Sequence, residues 1–225
     1  MSSTYLVGEQ TKRKIFRESK KLFYKKGFAE TTYDDISTAA KVNRALIPYY
    51  FKNKQILGQK VYSKIMEDFT EAFNKTIDVE HYPPDVIHIL QTFAYYHLLN
   101  NEKYARFAIQ VQSDESFSTQ MVKSEKNFIT GFGSKASKFS ENELNIIAKM
   151  DFGIEKEIVR MVYFAESSID IDQIVKVEIH MIMGYTGYSK KKIDELIDSA
   201  LDIMRHLSIR VKNGFSIEIN TKEDL

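Results

Sequence analysis

The chain has no cysteine and no tryptophan, and only three prolines and nine glycines among 225 residues. Without cysteine, neither a disulfide framework nor a thiolate metal site can be built, which suits a reducing compartment. So few helix breakers favour long helices over a strand-and-turn architecture. Long hydrophobic runs are missing as well. No stretch reaches the roughly 18 uncharged apolar residues that a membrane span requires, and the opening MSSTYLVGEQTKRK has no signal-peptide core. A cytoplasmic protein with no membrane partner is expected. The motifs of common enzymes are absent too: no G-x-S-x-G, no P-loop, no G-x-G-x-x-G opening a strand–helix unit, no HExxH and no metal-spaced His/Asp/Glu cluster. The pairs Glu155/Glu157 and Asp170/Asp172 splay apart on a helix at that spacing and read as solvated surface. Neither an enzyme, a cofactor nor a bound metal is expected.

What is present is a core. Hydrophobic residues make up 43% and charged residues 28%, with 13 tyrosines and 15 phenylalanines. The net charge of +1 conceals an asymmetry. Residues 1–57 carry 12 lysines and arginines against 5 acids, and residues 58–225 carry 20 against 26. A basic N-terminal quarter on an acidic body meets a polyanion first.

Helical periodicity organises most of the chain. Residues 1–9 read as a loose tail. Over 11–26, Ile15, Ser19, Leu22 and Phe23 share one face, and Gly27 supplies a stop. Thr32 and Asp35 form a capping pattern for a short second helix with Ile36, Ala39 and Ala40 on its apolar face. After a tight Lys41-Val42 turn, Asn43 caps a third helix containing Arg44, Ala45, Leu46 and Ile47. Two short helices joined so tightly make a helix-turn-helix. A longer helix runs from Lys54 to about Thr76, ended by Pro83-Pro84 after a short break. Further helices are expected over 85–99, 102–112, 117–138, 141–166, 170–187 and 190–212. Two segments compete with this reading: 175–183 alternates like a strand, and 207–220 can form a hairpin around Asn213-Gly214. The long periodic run over 193–212 favours helix there, with Asn213-Gly214 as its cap. The fold class expected is all-α.

Residues 27–57 resemble the TetR/AcrR family of bacterial transcriptional regulators. The matching positions are Gly27-Phe28, Thr31-Thr32, Asp35-Ile36, Ala39-Ala40-Lys41-Val42, the segment from Asn43 to Tyr50, and Phe51-Lys52-Asn53-Lys54-Gln55-Ile56-Leu57. Two positions depart from the pattern. Lys41 stands where the family carries glycine, at a turn that often needs positive φ. Pro48 falls inside the third helix, where its missing N–H should lose a bond to the Arg44 carbonyl and bend or end the helix.

The resemblance implies a three-helix DNA-binding domain over 1–57 and a larger helical domain over 58–225 for ligand binding and dimerisation. It implies a regulator, a repressor by expectation, that binds a palindromic double-stranded DNA operator as a homodimer and is released by a small apolar or amphipathic effector. Control by a protein partner is the alternative. The DNA-contacting residues expected are Thr32, Lys41, Asn43, Arg44, Ala45, Leu46, Tyr49, Tyr50 and Lys54. Arg44 either reads a guanine edge or grips phosphate, and Ala45 and Leu46 face thymine methyls. Lys12, Arg13 and Lys14 add nonspecific attraction. Phe23, Phe28, Ile36, Val42 and Phe51 are assigned to the small core. For the effector pocket the candidates are Phe93, Tyr96, His97, Phe107, Met121, Phe128, Met161, Phe164 and His180, against the plainer reading that each is core. The dimer is assigned to the helices around 172–187 and 190–212, on the expectation that they carry more apolar surface than one core needs.

Overall fold

The computed structural model of the chain describes residues 3–114, 138–165 and 170–222, with residues 117, 119, 121, 126 and 129 between them. Helix α1 (Ser3–Lys26) is followed by α2 (Tyr33–Ala40), α3 (Leu46–Phe51), α4 (Lys54–Thr76), α5 (Pro84–Tyr96), a 3-10 turn (His97–Asn100) and α6 (Glu102–Gln112). Helices α7 (Glu141–Tyr163), α8 (Ile171–Tyr185) and α9 (Lys190–Met204) complete the body, and an antiparallel hairpin, β1 (Leu207–Lys212) with β2 (Ser216–Thr221), closes the chain.

Local chemistry accounts for the helix starts. Thr32 and Ser140 each form a reciprocal capping box with the acid three residues on, Asp35 and Glu143. Asn53, Asn101 and Ser189 cap α4, α6 and α9 by accepting from backbone N–H groups inside the first turn. Pro83-Pro84 sit at the very start of α5, where a missing N–H has no intrahelical partner to lose.

Two expectations change, one is met over its competing strand reading, and one falls outside the described residues. Residues from Ser3 onward are helical, so most of the expected tail is the first turns of α1, with Gly8 lying 3.4 Å, at the position of an added Cβ, from the Tyr50 hydroxyl. Residues 175–183 are helix, because their apolar side chains Val175, Ile179, Ile182 and Met183 recur at helical spacing and bury together. The expected helix over 117–138 lies largely outside the described residues. Finally, the helix expected to run to 212 stops at Met204, and 207–221 is the hairpin.

That hairpin is tied at several points. The Thr76 hydroxyl donates to the Ile219 carbonyl at 2.7 Å, and the Asn101 amide donates to the Val211 carbonyl at 3.0 Å. Between the strands, Phe215 is fully buried at φ 59° and packs its ring 5.1 Å from Tyr24 of α1 and 4.7 Å from Phe107 of α6. The N-terminal helices therefore meet the body through an aromatic cluster, in which Phe23 also stacks on Phe107 at 5.8 Å.

Helix α9 buries Ile193, Leu196, Ile197, Ala200 and Met204 and packs on α5. Its apolar face is thus satisfied within the chain. The exposed apolar residues of this region are instead Val177, Met181 and Tyr185 at four-residue steps on α8, and Ile146 and Met150 on α7.

Candidate functional site: an exposed helix-turn-helix face and a buried cavity

The turn between α2 and α3 is built by Lys41, whose φ of 50° and ψ of 52° place it in the left-handed region. Its N–H and that of Val42 bond back to Thr38 and Ser37, which closes α2. Asn43 then accepts from the Ala45 N–H at 2.9 Å. The third helix begins at Leu46, two residues later than its sequence suggested. The Arg44 carbonyl accepts from Ile47 at 3.1 Å, so Pro48 deprives it of nothing. Pro48 sits in the first turn of a six-residue helix, where proline is tolerated, and it neither kinks nor terminates α3.

Ile36, Ala40, Ile47 and Phe51 face the small core, joined by Ile15, Phe23 and Phe28, with Val42 partly buried. Ala39, expected inside, is exposed. Lys41, Asn43, Arg44, Ala45 and Tyr49 stand together on the outside of the turn and α3, Tyr49 with 76% of its surface free. Leu46 and Tyr50 are half-buried beside them. Arg44 donates to both carboxylate oxygens of Asp34 at 3.0 and 3.1 Å, an exposed pair that is weak in water. The Thr32 hydroxyl hydrogen goes to Asp35 at 2.7 Å, while its oxygen accepts from the Asp35 N–H. The ion pair with Lys26, followed by the Thr32 bonds, holds the Asp35 carboxyl well below the usual carboxylate range.

Lys54 occupies a different place from the other candidates. Its ammonium donates to the carbonyls of Phe28, Ala29 and Thr31 at 3.0–3.1 Å and lies 4.9 Å from the Phe28 ring centre. Partial burial lowers its pKa. The start of α4 is thereby pinned to the loop between α1 and α2. Gly58 allows this approach, since a Cβ there would sit 2.5 Å from the Phe28 ring. From the other side, the Gln110 side chain of α6 accepts from the N–H groups of Phe28 and Ala29 at 3.0 and 3.1 Å.

The body holds a cavity of about 200 Å³ among α4, α5, α7 and α8. Its apolar lining includes Met66, Phe69, Ile179 and Ile182, and its polar lining includes Asp151, Glu155 and Glu178. Glu155 is a hub: one of its oxygens accepts from Tyr95 at 2.5 Å, Gln112 at 2.7 Å and Tyr62 at 3.1 Å. Glu178 accepts from the Tyr96 hydroxyl at 2.6 Å. Burial above all, then the neighbouring Asp151, raises the Glu178 pKa well above the ordinary value, and burial raises those of Tyr62, Tyr95 and Tyr96. Glu155 is therefore not the solvated surface group expected from its spacing, whereas Glu157 is exposed and pairs with Arg160.

Of the pocket candidates, Tyr96 and Met121 line this cavity. Phe93 is fully buried packing, and Phe107 belongs to the aromatic junction with α1. His97 pairs with Asp172 at 2.8 Å beside a separate recess, and His180 pairs with Asp194 at 2.9 Å. Met161 is half-buried away from the cavity lining, Phe164 is exposed, and Phe128 lies outside the described residues. Sequence reasoning missed Tyr62, Phe69, Asp151, Glu155 and Glu178. A signal existed. Asp151 and Glu155 fall in the stripe 144, 147, 148, 151, 152, 155, 158, 159 that α7 buries, and Glu178 falls in the buried stripe of α8.

Residues 15–59 match the family model described as bacterial regulatory proteins, tetR family. Over 68 residues the chain is 40% identical to a probable HTH-type transcriptional regulator, YttP, of Bacillus subtilis (strain 168). That match covers 30% of this chain and 31% of the relative, so it spans about a third of the relative's length. Two solved structures share the fold across most of the chain. RolR in complex with resorcinol superposes with a TM-score of 0.61 at 14% identity, covering 86% of this chain and 95% of that one. Full-length TylP, a TetR regulator from Streptomyces fradiae, superposes with a TM-score of 0.51 at 14% identity, covering 87% and 91%. The left-handed turn at Lys41, the exposed α3 and the match over 15–59 agree: this segment is similar to the helix-turn-helix of the bacterial tetR regulatory proteins.

Proposed function

We propose that the protein is a ligand-responsive transcriptional regulator, a repressor, whose dimer binds a palindromic operator through residues 1–57 and is released when residues 58–225 take up a small effector. The observation that carries this reading is the double attachment of an exposed helix-turn-helix face to the walls of the cavity in the body. Helix α4 starts at the DNA-binding unit through Lys54 and lines the cavity through Tyr62, Met66 and Phe69. Helix α6 holds Phe28 and Ala29 through Gln110 and reaches the Glu155 hub through Gln112, two residues on. A ligand that prefers one packing of these walls shifts α4 and α6 together, and with them the separation of two recognition helices. Both must dock about 34 Å apart, or a multiple, for a dimer to hold its operator. A cavity with polar groups converging on an apolar space favours a small-molecule effector over a protein partner.

In this reading Arg44, Ala45, Leu46 and Asn43 face base edges, and Thr32, Lys41, Tyr49 and Tyr50 face phosphates. Lys54 acts by orienting the domain beside the backbone. The dimer forms through the exposed apolar faces of α7 and α8, with α9 kept inside each protomer.

Fluorescence anisotropy against a genomic operator fragment, selected by the protein itself, tests the core of the proposal. Wild type should bind with an affinity that falls steeply with salt. Arg44→Ala should lose discrimination between that fragment and random DNA, on the order of 1–3 kcal/mol. Absence of any salt-dependent DNA binding by wild type rejects the reading.

A further inference from the structure

Among the described residues the cavity is lined by three carboxylates and by no lysine, arginine or histidine. Glu178 is 93% buried, being 7% exposed, and only one of its oxygens is engaged. The other, Oε2, is buried without a hydrogen-bond partner. Carboxyl groups are seldom buried unless they are paired, and an unmet acceptor in an apolar site is costly. The aromatic wall completes the picture: Tyr62, Phe69, Tyr95 and Tyr96 all line the same space, and their ring faces attract cations. A raised pKa at Glu178 agrees with a carboxyl that lacks its counter-charge.

We infer that the effector is a small organic cation, a one-ring aryl-ammonium or a comparable alkyl-ammonium, with its charged nitrogen between Glu178 and Asp151 and its apolar part against Met66, Phe69 and Ile182. This rests on the reading of the cavity as the effector site and names the chemical class that site takes. Size sets the ring count, because a cavity near 200 Å³ is little larger than the roughly 150 Å³ that accommodates benzene. Charge sets the class. An ammonium supplies the missing partner of Oε2, whereas an anion would bring a further acidic group beside three carboxyls in a site of low dielectric. A neutral phenol can donate one hydrogen bond but leaves the carboxylates without a counter-charge.

Calorimetry on the full chain, with benzylamine, phenethylamine, resorcinol and benzoate as probes near neutral pH, decides the matter. Both cations should bind and benzoate should not. Glu178→Gln should weaken the cations roughly ten- to hundred-fold, the loss of a charge-assisted contact, while leaving any resorcinol affinity unchanged. Asp151→Asn, checked for folding by circular dichroism alongside it, should weaken the cations in the same direction and serves if the first variant does not fold. Binding of resorcinol or benzoate as strong as that of the cations overturns the charge class but leaves the cavity as an effector site. Unchanged cation binding by folded Glu178→Gln also overturns it. Silence of all four probes rejects both the class and the cavity's role.

Discussion

Lys41 shows at the scale of one residue how a site keeps a local conflict. Its left-handed backbone costs a residue with a Cβ about 1–2 kcal/mol, which glycine would avoid at some expense in unfolded-chain entropy. Lys41→Gly should therefore raise stability by up to about 1 kcal/mol in urea unfolding while flattening the salt dependence of DNA binding by about one counterion. A variant that gains stability and keeps the full salt slope would show that Lys41 meets no phosphate. Thr32 and Asp35 bear on acid stability. The Asp35 carboxyl titrates below its ordinary range in the folded protein, so its contribution is present above the unfolded pKa and disappears as pH falls through the folded one. Unfolding curves across an acid series should show Asp35→Asn losing that slope, and Thr32→Ala should cost about 1 kcal/mol at neutral pH.

At the scale of elements, legibility followed the number of independent signals. Helices α4 and α6 run as their spacing indicates, and the structure adds asparagine caps at Asn53 and Asn101 that agree with it. The hairpin ranks only second in the sequence because Leu207 and Val211 fit a step of four as well as the step of two that also includes Ile209. What decides between them is tertiary: the pockets for Phe215 and the Thr76 bond, neither visible in a local window. Phe215→Ala should cost roughly 3–5 kcal/mol by cavity formation. The same change should loosen the aromatic junction, so limited proteolysis should cut between the DNA-binding unit and the body faster than in wild type. An unaltered cleavage pattern would mean that Lys54 and Gln110 suffice to hold the two together.

Across the whole molecule, the sequence displayed the exposed helix-turn-helix face clearly and the polar lining of the cavity hardly at all. Contacts along 32–50 are consecutive in sequence, so their pattern survives in one dimension. The carboxylates of the cavity come from α7 and α8, and nothing in either segment alone says that they converge. The apolar faces of α9 and α8 illustrate the same point: both look amphipathic, and only their partners show which face is already covered. Met181→Lys, on the exposed stripe of α8, should yield a monomer by sedimentation and weaken operator binding by orders of magnitude without altering helix content. A variant that remains dimeric would move the interface elsewhere.

The placement of Phe215 has a kinetic consequence. Its ring sits against Tyr24, so a side chain made long after Tyr24 completes the support of the first helix. The small N-terminal core is built from neighbours in sequence and can form early, while its seating on the body waits for a contact that closes almost the entire chain into a loop. During translation the helix-turn-helix unit would form before it is seated on the body. Refolding followed by a probe at Tyr24 should lag behind the appearance of helix.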